Sequence, residues 1–169
     1  ENGGPMKPRA APFPTASCNA CHESNAAKDF VFTQYYPVLD GKMQAGTAMA
    51  TDDTTWEPTA GTPSDDMGGV PLDSKKLFEY LSGGAYREFK AKESGRHPGR
   101  GPHTSVGAPV RVFYNDILAA SMASGAAEHP VGAATVKEMF SDDGVLNGWA
   151  VMVKTKAATD EGRGWFWYE

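Results

Sequence analysis

The chain has little cysteine and little histidine: two of the first and four of the second in 169 residues. Two thiols close at most one disulfide, so a small fold held together by a disulfide framework is excluded. It has no excess of positive charge either. The 16 Lys and Arg against 21 Asp and Glu leave a net charge of −5, which gives no basis for binding nucleic acid or an anionic membrane, although a basic partner remains open. No uncharged apolar run approaches the roughly 20 residues that a membrane-spanning helix needs. One globular domain over residues 1–169, long enough to bury a sizeable core, is therefore expected. The chain starts at Glu1 with neither an initiator Met nor an apolar leader, which predicts a processed mature form.

What is present is concentrated in five residues. Both cysteines fall in Cys18-Asn19-Ala20-Cys21-His22, the C-x-x-C-H pattern of covalent haem c attachment. In that chemistry two thiols add to the vinyl groups of one porphyrin edge, and the imidazole that follows ligates the iron. The two-residue spacer is a geometric requirement for bringing both sulfurs to the same edge. At this chain's own Cys and His frequencies the pattern arises by chance in roughly one such chain in two thousand. A thioredoxin-like dithiol needs a strand before the pair and a helix after it, whereas Pro12, Pro14 and small polar residues precede Cys18. A zinc site needs four clustered ligands, and His97, His103 and His129 are scattered. Cys18 and Cys21 are thus the expected thioether positions and His22 the expected iron ligand. Covalent haem matures outside the bacterial cytoplasm, so a periplasmic or otherwise exported location is expected.

Along the chain, residues 1–15 are rich in Gly and Pro and read as an extended arm. Residues 16–40 hold the haem motif and an aromatic-rich run from Asp29 to Leu39 with enough apolar surface to cover a porphyrin face. Residues 41–72, rich in Thr, Asp, Gly and Pro without periodicity, read as a long linker. Residues 73–169 read as the sheet region. A short helix is expected over residues 73–81, capped by Asp73 and ended by Gly83-Gly84. Strands are expected over 86–92, 109–114, 133–140, 148–156 and 164–168, with a small-residue helix after Asn115. Ser141-Asp142-Asp143-Gly144 and Thr159-Asp160-Glu161-Gly162 have hairpin-turn chemistry. The sum is an α+β fold: about five antiparallel strands with short helices, the covalent haem packed against the sheet.

Cys18-Asn19-Ala20-Cys21-His22-Glu23-Ser24-Asn25-Ala26, followed by Asp29-Phe30-Val31-Phe32-Thr33 and Tyr36-Pro37-Val38-Leu39, resembles the haem segment of the cytochrome P-460 and cytochrome c-prime-beta family. Weaker likenesses follow in Tyr86-Arg87-Glu88-Phe89, in the run from Val110 to Asn115, in Val136-Lys137-Glu138-Met139 and in the last two strands. In that family the sheet precedes the haem segment, so the resemblance implies a circular permutation, joined through the 41–72 linker. It also implies a fold in which the sheet lies against the haem. The family's hydroxylamine-oxidising members tie a lysine to the haem, and the position matching it is Lys137. Strand alternation puts Thr135, Lys137 and Met139 on one face and Ala134, Val136, Glu138 and Phe140 on the other. Lys137 then either faces the haem or is a solvent-facing strand lysine. Those members also use a distal carboxylate, and the matching stretch from Gly148 to Met152 has none, which weighs against efficient hydroxylamine oxidation.

The position opposite His22 decides the function: a strong sixth ligand makes an electron carrier, an open one a binder of nitric oxide or an enzyme. Met139 and Met152 could reach the iron, but each reads first as an ordinary gap-filling core residue. His97 and His103 sit in an Arg-, Pro- and Gly-rich stretch that reads as a surface loop. The resemblance implies an open site with an apolar wall, for which Phe32, Tyr35, Phe113 and Phe140 are candidates. Arg87 and Arg111 are candidate partners for the haem propionates, or else strand-surface charges. The expected partners are a redox protein and a small ligand such as nitric oxide or hydroxylamine. The terminal run Trp165-Phe166-Trp167-Tyr168 reads either as an edge strand buried in a homodimer or as a strand covered within one domain.

Overall fold

The alternating apolar positions of the C-terminal half form one antiparallel sheet. A computed structural model describes residues 22–24, 26, 29–31, 66–99 and 107–169. Strands β1 (Asp66–Met67) and β2 (Val70–Pro71) make a small hairpin, and α1 (Ser74–Ser82) follows. A 3-10 turn (Ala85–Glu88) leads to β3 (Ala91–Lys92) and β4 (His97–Pro98). Then come β5 (Pro109–Tyr114), α2 (Asp116–Ala123), β6 (Ala134–Phe140), β7 (Leu146–Lys154) and β8 (Trp165–Tyr168). The sheet order is β3-β5-β6-β7-β8, with β4 also pairing β5, and every pair is antiparallel. The chain is α+β, with antiparallel sheets and short helices. Among the described residues no helix is long and apolar enough to cross a membrane.

Capping chemistry begins α1 and α2. The Asp73 carboxylate accepts from the backbone N–H groups of Lys75 (3.1 Å) and Lys76 (3.0 Å), and Leu77 and Leu81, one turn apart, are buried on one face of α1. Asn115 does more than cap α2. Its Oδ1 accepts from Leu118 N–H and from Ala134 N–H, both at 3.0 Å. Its Nδ2 donates to the carbonyls of Gly68 (3.0 Å) and Gly132 (2.6 Å). One buried side chain therefore ties the β1–β2 turn, α2 and the start of β6 together. Asn115→Ala strands four backbone groups in the interior, and we expect it to lower the unfolding free energy by about 2–4 kcal/mol in a denaturant titration.

Both faces of the sheet are covered, which explains why β6 is buried at six of its seven positions rather than alternating with exposed ones. One face packs Phe113, Val136, Trp149 and Val151 beneath α1, the β1–β2 hairpin and Tyr86. The other packs Val112, Tyr114, Met152 and Trp167 beneath α2 and the Phe30–Val31 segment.

Three expectations are corrected. Residues 66–71 are not linker but the β1–β2 hairpin, because Gly68 (φ 62°) and Gly69 (φ 79°) supply the two left-handed positions of a tight turn. At Gly68 there is also no space for a side chain, since a Cβ would lie 1.9 Å from the Gly132 carbonyl oxygen. Residues 86–92 are not one strand, and only Ala91 and Lys92 pair with β5. The reason is Glu138: Tyr86 and Arg87 both bond to its carboxylate, which a 3-10 turn allows and a strand, sending neighbours to opposite faces, forbids. His97 is in β4, opposite Val110, not in a loop.

Candidate functional site

His22 is the member of the C-x-x-C-H motif within the described residues; Cys18, Cys21, Phe32, Tyr35 and His103, the 1–15 arm and residues 41–65 of the expected linker lie outside them. His22, Glu23 and Ser24 are helical, and the His22 carbonyl accepts from Ala26 N–H at 2.8 Å. The imidazole is buried at 7% exposure, with Nδ1 2.7 Å from the Phe30 carbonyl oxygen. A carbonyl only accepts, so Nδ1 carries the proton and the basic lone pair of the neutral ring is on Nε2. The ring stands edge-on to Trp167, with centroids 4.8 Å apart and planes at 68°.

The Phe30 carbonyl reaches His22 through an unusual turn. Asp29 (φ 41°) and Phe30 (φ 64°) are both in the left-handed region, which a Cβ disfavours and which surrounding contacts must hold. The Asp29 carboxylate supplies those contacts. Lys154 Nζ donates to both its oxygens, at 3.0 and 2.8 Å, and His129 N–H donates to Oδ2 at 2.6 Å. The Thr159 hydroxyl also donates to it, with Trp165 Nε1 at 3.4 Å. Both side chains of the Asp29–Lys154 pair are 0% exposed. Burial pushes the Asp29 carboxyl up, but the hydrogen bonds from His129, Lys154 and Thr159, with the Lys154 charge, outweigh it and hold the group below its ordinary value.

Strand register assigns the remaining residues to faces. Tyr114, Thr135, Met152 and Trp167 are cross-strand neighbours in one row, and Trp167 carries the His22 ring. Lys137, two residues from Thr135 and flanked by Val112 and Ala150, shares that face and is half-buried. Met139 and Met152 share it too, both buried, and Met152 belongs to the core beneath Phe30 and Trp165.

Arg87 and Arg111 are on the far face. Arg87 donates from Nε (3.0 Å) and Nη2 (2.8 Å) to Glu138 Oε1, beside the Tyr86 hydroxyl at 2.6 Å and the Trp149 indole above it. Burial, with Glu138 beside it, pushes the Tyr86 hydroxyl up to about 12. Arg111 is the cross-strand neighbour of Glu138; it donates to the Glu93 carbonyl at 3.1 Å and covers the Phe113 ring. The geometry therefore brings neither arginine to His22. Phe113 is on that far face as well, against Tyr86, and the Phe140 ring is covered by the Arg96 guanidinium at 3.6 Å. Strand β8 is an edge strand, yet Trp165, Trp167 and Tyr168 are buried by their own chain.

Among the described residues, the His22 imidazole has donor chemistry compatible with a haem iron. A buried imidazole oriented through a backbone carbonyl presents Nε2 in the arrangement that metal-binding histidines use, where the partner of the second nitrogen fixes the tautomer and raises ligand basicity. Asp29, Lys154 and Thr159 build this arrangement, and no local pattern in the sequence gives any of them a role at the site. The available signal was a lysine ending the apolar run Val151-Met152-Val153. Comparison with protein-family models, curated proteins and solved structures finds no match.

Proposed function

We propose that the chain is a mono-haem c-type cytochrome, a periplasmic redox protein that transfers electrons or binds nitric oxide at an open iron site. The observation that carries this reading is the His22 ring: within C-x-x-C-H, its Nδ1 is committed to the Phe30 carbonyl at 2.7 Å, which directs the lone pair to Nε2. Cys18 and Cys21 would hold the porphyrin through thioethers and His22 would supply an iron ligand. The bound haem supplies one-electron chemistry and a coordination position for a small ligand. The chain's own residues bury the imidazole against Trp167 and present an apolar sheet face lined by Val112, Tyr114 and Met152. A fold of the cytochrome P-460 type in permuted order is part of this proposal.

A second reading is an oxidoreductase acting on hydroxylamine at a lysine-modified haem. It is favoured by Lys137, half-buried on the sheet face that meets His22. Peptide mass analysis separates the two. The first reading expects a haem peptide containing Cys18 and Cys21 with Lys137 recovered unmodified, and a Soret shift when nitric oxide is added to the ferrous protein. A haem peptide that also contains Lys137 selects the second. An absence of covalent haem sinks both.

A further inference from the structure

We infer that the buried Asp29–Lys154 pair, clasped by Thr159, is a positioning device for the proximal ligand: it holds the Phe30 carbonyl on His22 Nδ1 and so sets the basicity of the imidazole that faces the iron. This rests on the haem reading above. The chain of contacts is continuous. Lys154 ends β7 and Thr159 lies in the β7–β8 connection, so the carboxylate of a residue 125 positions earlier is fastened to the sheet itself. Asp29 immediately precedes Phe30, and both residues are held at positive φ, so the carboxylate's donors fix the direction of the very next carbonyl. Without them, the turn relaxes toward the φ that residues bearing a Cβ prefer, and the carbonyl swings away from Nδ1.

The consequence is electronic. An imidazole whose N–H is held in a short hydrogen bond is a stronger donor to the metal than one whose bond is loose, and hydrogen bonding behind the axial ligand is one of the protein's levers on haem potential. Stronger donation favours ferric iron, so loosening the bond raises the reduction potential. Thr159, Lys154 and Asp29 thus act on the iron through His22 without touching it.

The test uses full-length haem-loaded protein and measures haem content, thermal midpoint and reduction potential together. Asp29→Asn combined with Lys154→Met removes the ion pair while leaving the net charge of the site unchanged, so a through-space charge effect on the iron largely cancels. The expected result is covalent haem retained and a potential raised enough to increase the reduced-to-oxidised ratio about tenfold at fixed ambient potential, 59 mV for a one-electron couple. Thr159→Val shifts the potential in the same direction by less, and Thr159→Ser, which keeps the hydroxyl, restores the wild-type value. A purely structural role lowers the thermal midpoint and leaves the potential unmoved; that outcome overturns the inference. Should the double variant fail to fold, the Thr159 series decides alone: a shift with valine and its reversal with serine supports the inference, and no shift overturns it. Wild-type protein without covalent haem defeats the haem reading and this inference together, whereas loaded protein with an unchanged potential defeats only the inference.

Discussion

Replacing Cys18 and Cys21 together by alanine is expected to abolish covalent haem: intact mass falls to that of the polypeptide alone, and acid acetone extracts any residual haem completely. Each thiol contributes one thioether to the same porphyrin edge, so the two single variants retain one bond each and differ from wild type in the band positions of their reduced spectra. The double variant removes both bonds while leaving His22, Phe30 and the Asp29 anchor in place. Haem that stays covalently bound in the double variant would defeat the assignment of both cysteines. Spending both thiols on the porphyrin also means that thiol titration of the unfolded holoprotein detects no free cysteine and that reduction releases none, which separates this reading from a disulfide.

The second large effect is on stability. Lys154→Met leaves the Asp29 carboxylate, wholly shielded from solvent, facing an apolar side chain, and removing one partner of a buried ion pair costs about 3–5 kcal/mol. Asp29→Asn added to Lys154→Met recovers much of this loss, since a buried pair replaced by neutral groups of similar volume is often close to neutral. The pH dependence follows from the direction of the Asp29 shift. Its folded-state pKa lies below the ordinary 3.8, so its contribution to stability is complete above that value and is lost as pH falls through the folded one. Unfolding free energies from pH 6 down to pH 2 should therefore decline through the acid range in wild type, and the part of the decline due to Asp29 should vanish in the double variant. Equal acid slopes in the two proteins would show that Asp29 is not held ionised by the fold.

Elements whose signals are local were legible in the sequence. Residues 109–114 were expected as a strand and form β5 over the same span. Asp73 and Asn115 were expected as caps, and each accepts from the first turn of its helix. The turn at Ser141-Asp142-Asp143-Gly144 closes β6 onto β7, with Gly144 at φ 82° and its N–H on the Ser141 carbonyl at 2.8 Å. The alternation that put Lys137 opposite to Val136 and Glu138 holds in the register. The Gly68-Gly69 hairpin was missed because it sits at the end of a long stretch without periodicity, where a two-residue turn flanked by two-residue strands leaves almost no pattern. Residues 86–92 were misread as a strand because Tyr and Phe favour strands locally, whereas the conformation answers to Glu138, some fifty residues away.

The sequence alone determined the motif Cys18-Asn19-Ala20-Cys21-His22, the order of the main strands and helices, and the alternation that separates the two faces of β6. Each depends on residues within a few positions of one another, where bond geometry and side-chain period leave little choice. Only the tertiary structure decided which sheet face meets His22, that Arg87 and Arg111 are turned away from it, and that Trp167 of the edge strand is covered by its own chain. It also decided that Asp29, an ordinary acid at the head of an aromatic run, is ionised and buried against Lys154. A charge pair spanning 125 positions leaves no trace in periodicity or turn chemistry, because its energy depends on the desolvation and donors that the folded sheet creates around it.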